Sequence, residues 1–293
     1  MVKTMTIATI DIGGTGIKFA SLTPDGKILD KTSIPTPENL EDLLAWLDQR
    51  LSEQDYSGIA MSVPGAVNPE TGVIDGFSAV PYIHGFSWYE ALSSYQIPVH
   101  LENDANCVGL SELLAHPEIE NAACVVIGTG IGGAMIINGR LHRGRHGLGG
   151  EFGYMTTLAP AEKLNNWSQL ASTGNMVRYV IEKSGQTDWD GRKIYQEAAA
   201  GNVLCQEAIE RMNRNLAQGL LNIQYLIDPD VISLGGSISQ NPEFIQGVKK
   251  AVDDFVETYE EYTVAPVIQA CTYHADANLY GALVNWLQEE NQW

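Results

Sequence analysis

The chain has 293 residues, with 17 Lys and Arg against 36 Asp and Glu, a net charge of −19 and a hydrophobic fraction of 44%. That fraction suits a globular chain with a core, the length points to two domains, and the acidity excludes nucleic acid as a partner, since phosphate neutralisation needs clustered cations. No apolar run reaches the roughly 20 residues that span a bilayer, and the first strand is expected at about residue 5, without room for a signal peptide, so a cytoplasmic location is expected.

Met5 to Ile10 reads as a buried strand and runs into Asp11-Ile12-Gly13-Gly14-Thr15. Ile17 to Leu22 follows, and Pro24-Asp25-Gly26 supplies turn chemistry before a third run, Lys27 to Ile34. Glu38 to Leu51 carries Leu40, Leu43, Leu44, Leu47 and Leu51, a helical stripe. Ser57 to Val63 predicts a strand. Pro64 to Trp88, rich in Gly, Pro and aromatics, has no clean period and is a candidate site-forming segment. Ile97 to Leu101 predicts a strand and Ala105 to Ala115 a helix.

Ala122 to Ile127 opens the second half as a strand, followed by Gly128-Thr129-Gly130-Ile131-Gly132-Gly133 and a strand to Ile137 that turns at Asn138-Gly139, a strong hairpin signal. Helical patterns run from Lys163 onward, the longest from Val203 to Ile227. Val231 to Leu234 reads as a strand entering Leu234-Gly235-Gly236-Ser237. Pro242 to Tyr259, Val267 to Ala270 and Ala277 to Gln288 then read as helix, strand and helix. Two βββ-αβα-like units, each opened by a glycine-turn hairpin, predict an α/β protein with an internal duplication.

Turns without Cβ atoms let backbone N–H groups approach an anion closely. Three of them, the first opened by an acidic residue, suggest a nucleotide clamped between two halves of one molecule. Gly128, Gly130 and Gly133 also satisfy G-x-G-x-x-G, with Glu151 near where a ribose-binding acid would fall. That dinucleotide fingerprint requires a helix directly after the glycines. Ala134 to Gly139 reads instead as a strand ending in a hairpin turn, so the dinucleotide reading fails. Cys107, Cys124, Cys205 and Cys271 are isolated, without Cys–His ligand spacing, and read as buried free thiols. His142 and His146, flanking Arg143 and Arg145, read as a polar loop.

Taken together, these motifs resemble the ROK sugar kinases of the hexokinase–actin–Hsp70 superfamily. Asp11 to Thr15 with Lys18 looks like the family's first phosphate motif, Gly128 to Gly133 the second, and Leu234 to Ser239 the adenosine motif. Leu101-Glu102-Asn103-Asp104-Ala105-Asn106 looks like the sugar and catalytic segment, and Gly147 to Gly153 the signature stretch. The matches run in order from residue 7 to about 282. The resemblance implies a two-lobed hexokinase–actin–Hsp70-like (ribonuclease H-like) ATPase fold. Residues 1–105 would form the N-terminal lobe, with a helix at about 277–290 packed back on it, and 106–293 the C-terminal lobe.

What the resemblance implies chemically is ATP- and Mg²⁺-dependent transfer of a γ-phosphoryl group to the 6-hydroxyl of a hexose or hexoside, as in a glucokinase, fructokinase or β-glucoside kinase. A homodimer is expected. Asp104 is the candidate base, because a carboxylate within hydrogen-bond reach accepts the proton of an attacking hydroxyl. Asn103 beside it is the candidate sugar ligand, although the pair would also suit a helix cap. Asp11 is placed to hold Mg²⁺ through water. Gly13, Gly14, Thr15, Gly128, Thr129, Gly130, Gly132, Gly133, Gly235, Gly236 and Ser237 are the nucleotide candidates. Lys18 is either a phosphate ligand or half of a surface pair. Gly65, Glu151 and Tyr154 complete the sugar-binding set, while Phe77, Tyr82 and Trp88 read more readily as local core.

Two departures stand out. Tyr154 stands where the family usually has a His, and the cysteine-rich zinc motif that normally follows is replaced by Leu164 to Gly174, which contains no Cys. No zinc site is therefore expected. Gln169 stands where a sugar-binding Glu is usual. Loss of the His removes a contact to the anomeric hydroxyl, which points away from plain glucose specificity. The alternative is a non-catalytic sugar-sensing regulator of the same family.

Overall fold

The structure, a computed structural model, describes residues 5–157 and 165–293. Lys163 and Leu164, where the first helical pattern of the second half was expected, lie outside the described residues. The chain divides into two compact units, one comprising residues through Glu118 with Arg143–Gly149 and Ala275–Trp293, the other Ile119–His142 with Gly150–His274. The sequence-based expectation placed the division at residue 105. Here the helix after Asn103 groups with the first unit, together with a short excursion at Arg143–Gly149.

In the first unit β1 (Ile7–Ile12), β2 (Gly16–Leu22) and β3 (Ile28–Pro35) form an antiparallel meander, and β4 (Gly58–Val63) adds parallel to β1. Every residue of β1 and β4 is buried, as the mainly apolar runs of central strands demand, with Thr9, Asp11 and Ser62 as the polar exceptions. Helix α1 (Leu40–Leu51) joins β3 to β4. It starts at Asn39, whose side chain accepts the Asp42 N–H, and buries Leu43, Leu47 and Leu51, each worth roughly 1.5–3 kcal/mol. The segment expected to be irregular contains a small hairpin, β5 (Ala66–Asn68) and β6 (Val73–Asp75), and leads into α2 (Trp88–Ala91). β7 (Val99–Asn103) closes the sheet, parallel to β4, in the order β3-β2-β1-β4-β7. α3 (Asp104–Ala115) follows at once.

The second unit repeats this plan. β8 (Ala122–Ile127), β9 (Ile131–Ile137) and β10 (Arg140–Leu141) form the meander. A short ladder, β11 (Thr156–Thr157) with β12 (Asn165–Asn166), precedes α4 (Trp167–Ala171), α5 (Thr173–Ser184), α6 (Gly191–Ala199) and the 25-residue α7 (Val203–Ile227). β13 (Val231–Gly235), α8 (Pro242–Thr258) and β14 (Ile268–Ala270) complete a sheet ordered β10-β9-β8-β13-β14. The two sheets share one strand order and one pattern of parallel and antiparallel pairing, which is the expected duplication in physical form.

α9 (Ala277–Glu289) returns to the first unit, against α3 and the sheet. Gly281 makes the crossing close, since a Cβ there would lie 1.7 Å from the Cys107 carbonyl oxygen. This packing fixes the first turn of α3, and with it Asp104, to the body of the unit.

Candidate functional site

β1, β4 and β7 run parallel, so their C-terminal ends meet along one edge, with Asp11 registered on Ser62 and Val63 on Asn103. Ligands of α/β sheets bind outside such carboxyl ends. A cavity of about 620 Å³ opens at this edge, lined by Asp11, Gly13, Gly14, Thr15, Lys18 and Asp104 among others. Asp11 is buried. Its Oδ2 accepts from Lys18 Nζ at 3.0 Å and its Oδ1 from Asn278 Nδ2 at 2.9 Å. Lys18 also donates to the Ala275 carbonyl; its ammonium pairs with Asp11 at the wall of the cavity, with the side chain 30% exposed. Each Asp11 oxygen takes one side-chain donor and keeps lone-pair capacity, a donor set that fits a water-mediated Mg²⁺. Gly14 and Thr15 are exposed to the cavity side.

Asn103 caps α3, its Oδ1 accepting the N–H groups of Ala105 at 2.9 Å and Asn106 at 3.2 Å. Its Nδ2 donates to the Gly65 carbonyl at 3.0 Å. The capping role therefore falls to Asn103, and Asp104 is left as the first helical residue, facing the cavity. Gly65 has φ +113°, and a Cβ there would meet Ile74 Cγ2 at 2.8 Å, so only glycine holds that carbonyl on Asn103 without strain. Burial pushes the Asp104 carboxyl above the ordinary carboxylate range. The Ala105 N–H it accepts draws it back down, and the nearby charge of Asp11 pushes it up again.

Behind this pair sits Glu102, 3% exposed. Its Oε1 accepts from the Asn103 N–H and from Asn106 Nδ2, each at 2.8 Å, and its Oε2 accepts from Arg143 Nε at 2.6 Å. Arg143 also reaches Asn285 Oδ1 at 2.8 Å and Glu289 Oε1 at 2.9 Å on α9. The sequence reading left Arg143 in a bland polar loop and did not single out Asn278. A carboxylate in a buried strand requires a counter-charge, which was the available signal for Arg143. Nothing local identifies a partner 41 residues away.

In the second unit, the turn at Gly128, Thr129 and Gly130 is exposed at the end of β8. Its Gly128 N–H donates to the Gly130 carbonyl at 2.9 Å, and no heavy atom lies within 4 Å of where a Gly128 Cβ would be. β13 pairs parallel to β8 with Gly235 on Val126, which brings Gly235, Gly236 and Ser237 beside that turn. Gly236 has φ +88°, and a Cβ there would stand 2.1 Å from the Ile127 carbonyl oxygen. Open backbone of this kind, with Thr129 an exposed residue, fits a polyphosphate. Gly132 and Gly133 lie in β9, paired with Val126 and Val125. Glu151 precedes a single helical turn, Phe152–Tyr154, in which Phe152 is buried and Tyr154 is 72% exposed. Gln169 caps α4 reciprocally with Asn166. Trp88 is core, Tyr82 bonds the Pro37 carbonyl, and Phe77 is fully exposed.

The chain belongs to the ROK family, whose model matches residues 7–289. It is 35% identical, over 98% of its length and 99% of the relative's, to a β-glucoside kinase of Listeria monocytogenes. The crystal structure of a ROK family protein from Streptococcus pneumoniae in complex with sucrose superposes with a TM-score of 0.96 at 96% identity, covering 99% of this chain and 100% of that one. A ROK hexokinase from Thermus thermophilus superposes at 0.85 with 27% identity, covering 98% of this chain and 100% of the other.

Proposed function

We propose that the chain is an ATP- and Mg²⁺-dependent sugar kinase that phosphorylates the primary 6-hydroxyl of a hexose or hexoside. The observation that carries this reading is Asp104, a carboxyl of raised proton affinity held at the mouth of the Asp11 cavity while Asn103 takes over the helix cap.

Phosphoryl transfer needs a positioned hydroxyl, neutralised phosphate charge and an acceptor for the departing proton. Mg²⁺ and ATP, when bound, supply the γ-phosphoryl group and the charge that offsets it. Asp11 would hold the hydrated metal. Gly13 to Thr15, and separately the Gly128 to Gly130 turn with Gly235 to Ser237, would direct backbone N–H groups and hydroxyls at phosphate and adenosine. Asn103 would orient the sugar, with one N–H of its amide still unassigned beyond the Gly65 bond. Asp104 would accept the hydroxyl proton as the new P–O bond forms; an acceptor with raised affinity suits that step. Glu151 is assigned to vicinal hydroxyls and Tyr154 to the anomeric side.

Tolerance of a substituted anomeric carbon is supported by the absence of a His at position 154, by the similarity to a β-glucoside kinase and by the sucrose held by the 96% identical protein. The test is ADP release from ATP and Mg²⁺ with glucose, fructose, methyl-β-glucoside and cellobiose. Sugar-dependent ADP release is expected. Sugar binding without turnover of any substrate would favour a sugar-sensing regulator.

A further inference from the structure

Asp11, the carboxylate assigned to the hydrated metal, is gripped on both oxygens. Asn278, the second residue of α9, donates from Nδ2 to Oδ1 at 2.9 Å, and Lys18 Nζ donates to Oδ2 at 3.0 Å. The carboxylate cannot rotate without breaking one of these bonds. Paired with an ammonium, it only accepts, so the Asn278 amide must present its N–H to Asp11 and turn its carbonyl oxygen elsewhere. That oxygen, Asn278 Oδ1, is buried and has no hydrogen-bond partner among the described residues.

An orphaned buried carbonyl costs about 1–3 kcal/mol, close to what a hydrogen bond to a charged group contributes. The amide of Asn278 therefore adds little net stability, and an apolar side chain would serve a purely structural position as well. Asn278 lines the same cavity as Asp11 and Asp104. A polar group that weakens the fold at one end and orients a metal-holding carboxylate at the other has the properties of an outer-shell residue.

The start of α9 is itself tied down on several sides, all within the first unit. Lys18 of β2 donates to the Ala275 carbonyl, and Lys31 of β3 reaches Asp276 at 2.6 Å. Three residues beyond Asn278, and so on the same helix face, Gly281 packs on the Cys107 carbonyl of α3, the helix that opens with Asp104. One rigid helix thus contacts β1 at Asp11 and α3 one turn after Asp104. The spacing between those two carboxyl groups depends on it.

We infer that Asn278 is a positioning residue of the metal site, one that aims the Asp11 carboxylate at the hydrated cation. The inference rests on the Mg²⁺-dependent reading proposed above. The experiment titrates the ADP complex of wild type, Asn278→Ala and Asn278→Gln with Mn²⁺, following the free ion by electron paramagnetic resonance. Sugar affinity by calorimetry and metal-free melting are measured alongside. Asn278→Ala is expected to raise the Mn²⁺ Kd by about 10–100-fold, the loss typical of outer-shell partners, and to leave the sugar Kd within about twofold. Its melting temperature should stay within about 3 °C of wild type, because the lost bond and the lost orphan offset each other. Asn278→Gln, which keeps an N–H, should recover part of the Mn²⁺ affinity. An Mn²⁺ Kd unchanged in Asn278→Ala, or equal losses of Mn²⁺ and sugar affinity with a lower melting temperature, would overturn the inference and leave the kinase reading intact. Absence of Mn²⁺ binding by the wild-type ADP complex would overturn the metal reading and the inference with it. Weakened Mn²⁺ binding in Asn278→Ala, with no sugar phosphorylated by wild type, would support the inference and overturn the kinase reading instead.

Discussion

Arg143 Nε donates to Glu102 Oε2 at 2.6 Å, and Glu102 in turn fixes the backbone N–H of Asn103 and the side chain of Asn106. The first turn of α3 is thus held from behind by a carboxylate whose charge, among the described residues, only Arg143 offsets directly. Asp104 reaches the cavity, with the backbone of the preceding Asn103 set by residues that do not line that cavity.

Arg143→Gln leaves Glu102 buried without its counter-charge. Breaking a fully buried pair costs about 3–5 kcal/mol; with the Arg143 side chain 29% exposed, about 2–3 kcal/mol is expected here. Thermal unfolding measures it. A positioning role also requires kcat to fall while the KM for ATP stays near wild type, with partial recovery in Arg143→Lys. A lower melting temperature with unchanged kcat would reduce Arg143 to a structural residue.

Asp104 carries a raised proton affinity, so the folded state binds more protons there than the unfolded one, and its contribution to stability falls as pH rises through the folded pKa. Asp104→Asn removes a charge that burial disfavours and keeps an acceptor for the Ala105 N–H. The variant is expected to melt higher than wild type at pH 7, and the gap should close toward about pH 4, where the unfolded carboxyl is itself protonated. Melting curves across that range check the sign. A variant less stable at pH 7 would mean that the negative charge is favoured in the fold.

Much of this fold is written locally. β8 announces itself as an unbroken apolar run and β1 as one interrupted only by Thr9 and Asp11, α7 appears over Val203–Ile227 just as its periodicity predicts, and Asn138-Gly139 marks its hairpin. Close backbone approach or a positive φ explains glycine at positions 13, 65 and 236, whereas position 128 is open and its glycine was singled out by motif alone. Arg143, Asn278 and the Gly65–Asn103 bond were not legible, because each joins segments far apart in the chain through a single side chain. The β5–β6 hairpin hid in a segment whose three-residue strands are too short to show a period.

Gly65→Ala forces a Cβ toward Ile74 Cγ2 at 2.8 Å and toward Asp75 O and His84 Cε1 at 3.0 Å, at a φ of +113°. The strain, about 1–3 kcal/mol, is expected to lower the melting temperature and to pull the carbonyl off Asn103. The KM for sugar should then rise more than the KM for ATP. Equal changes in both would place Gly65 in general folding rather than sugar binding.

Among the described residues no group of three or more His, Cys, Asp or Glu could hold a metal ion. Elemental analysis is expected to find far less than one zinc per chain, and EDTA should abolish turnover without moving the melting temperature, with Mg²⁺ restoring activity. Unfolding on chelation would reveal a structural metal.

The most direct measurement is the turnover of Asp104→Asn set against its sugar affinity. With ATP and Mg²⁺ saturating, kcat is expected to fall by about 10²–10⁴-fold, the contribution of a positioned general base, while the calorimetric Kd for sugar stays close to wild type. Near-normal kcat in a folded variant would contradict the assignment of Asp104 as the proton acceptor, and with it the mechanism built on this edge of the first sheet.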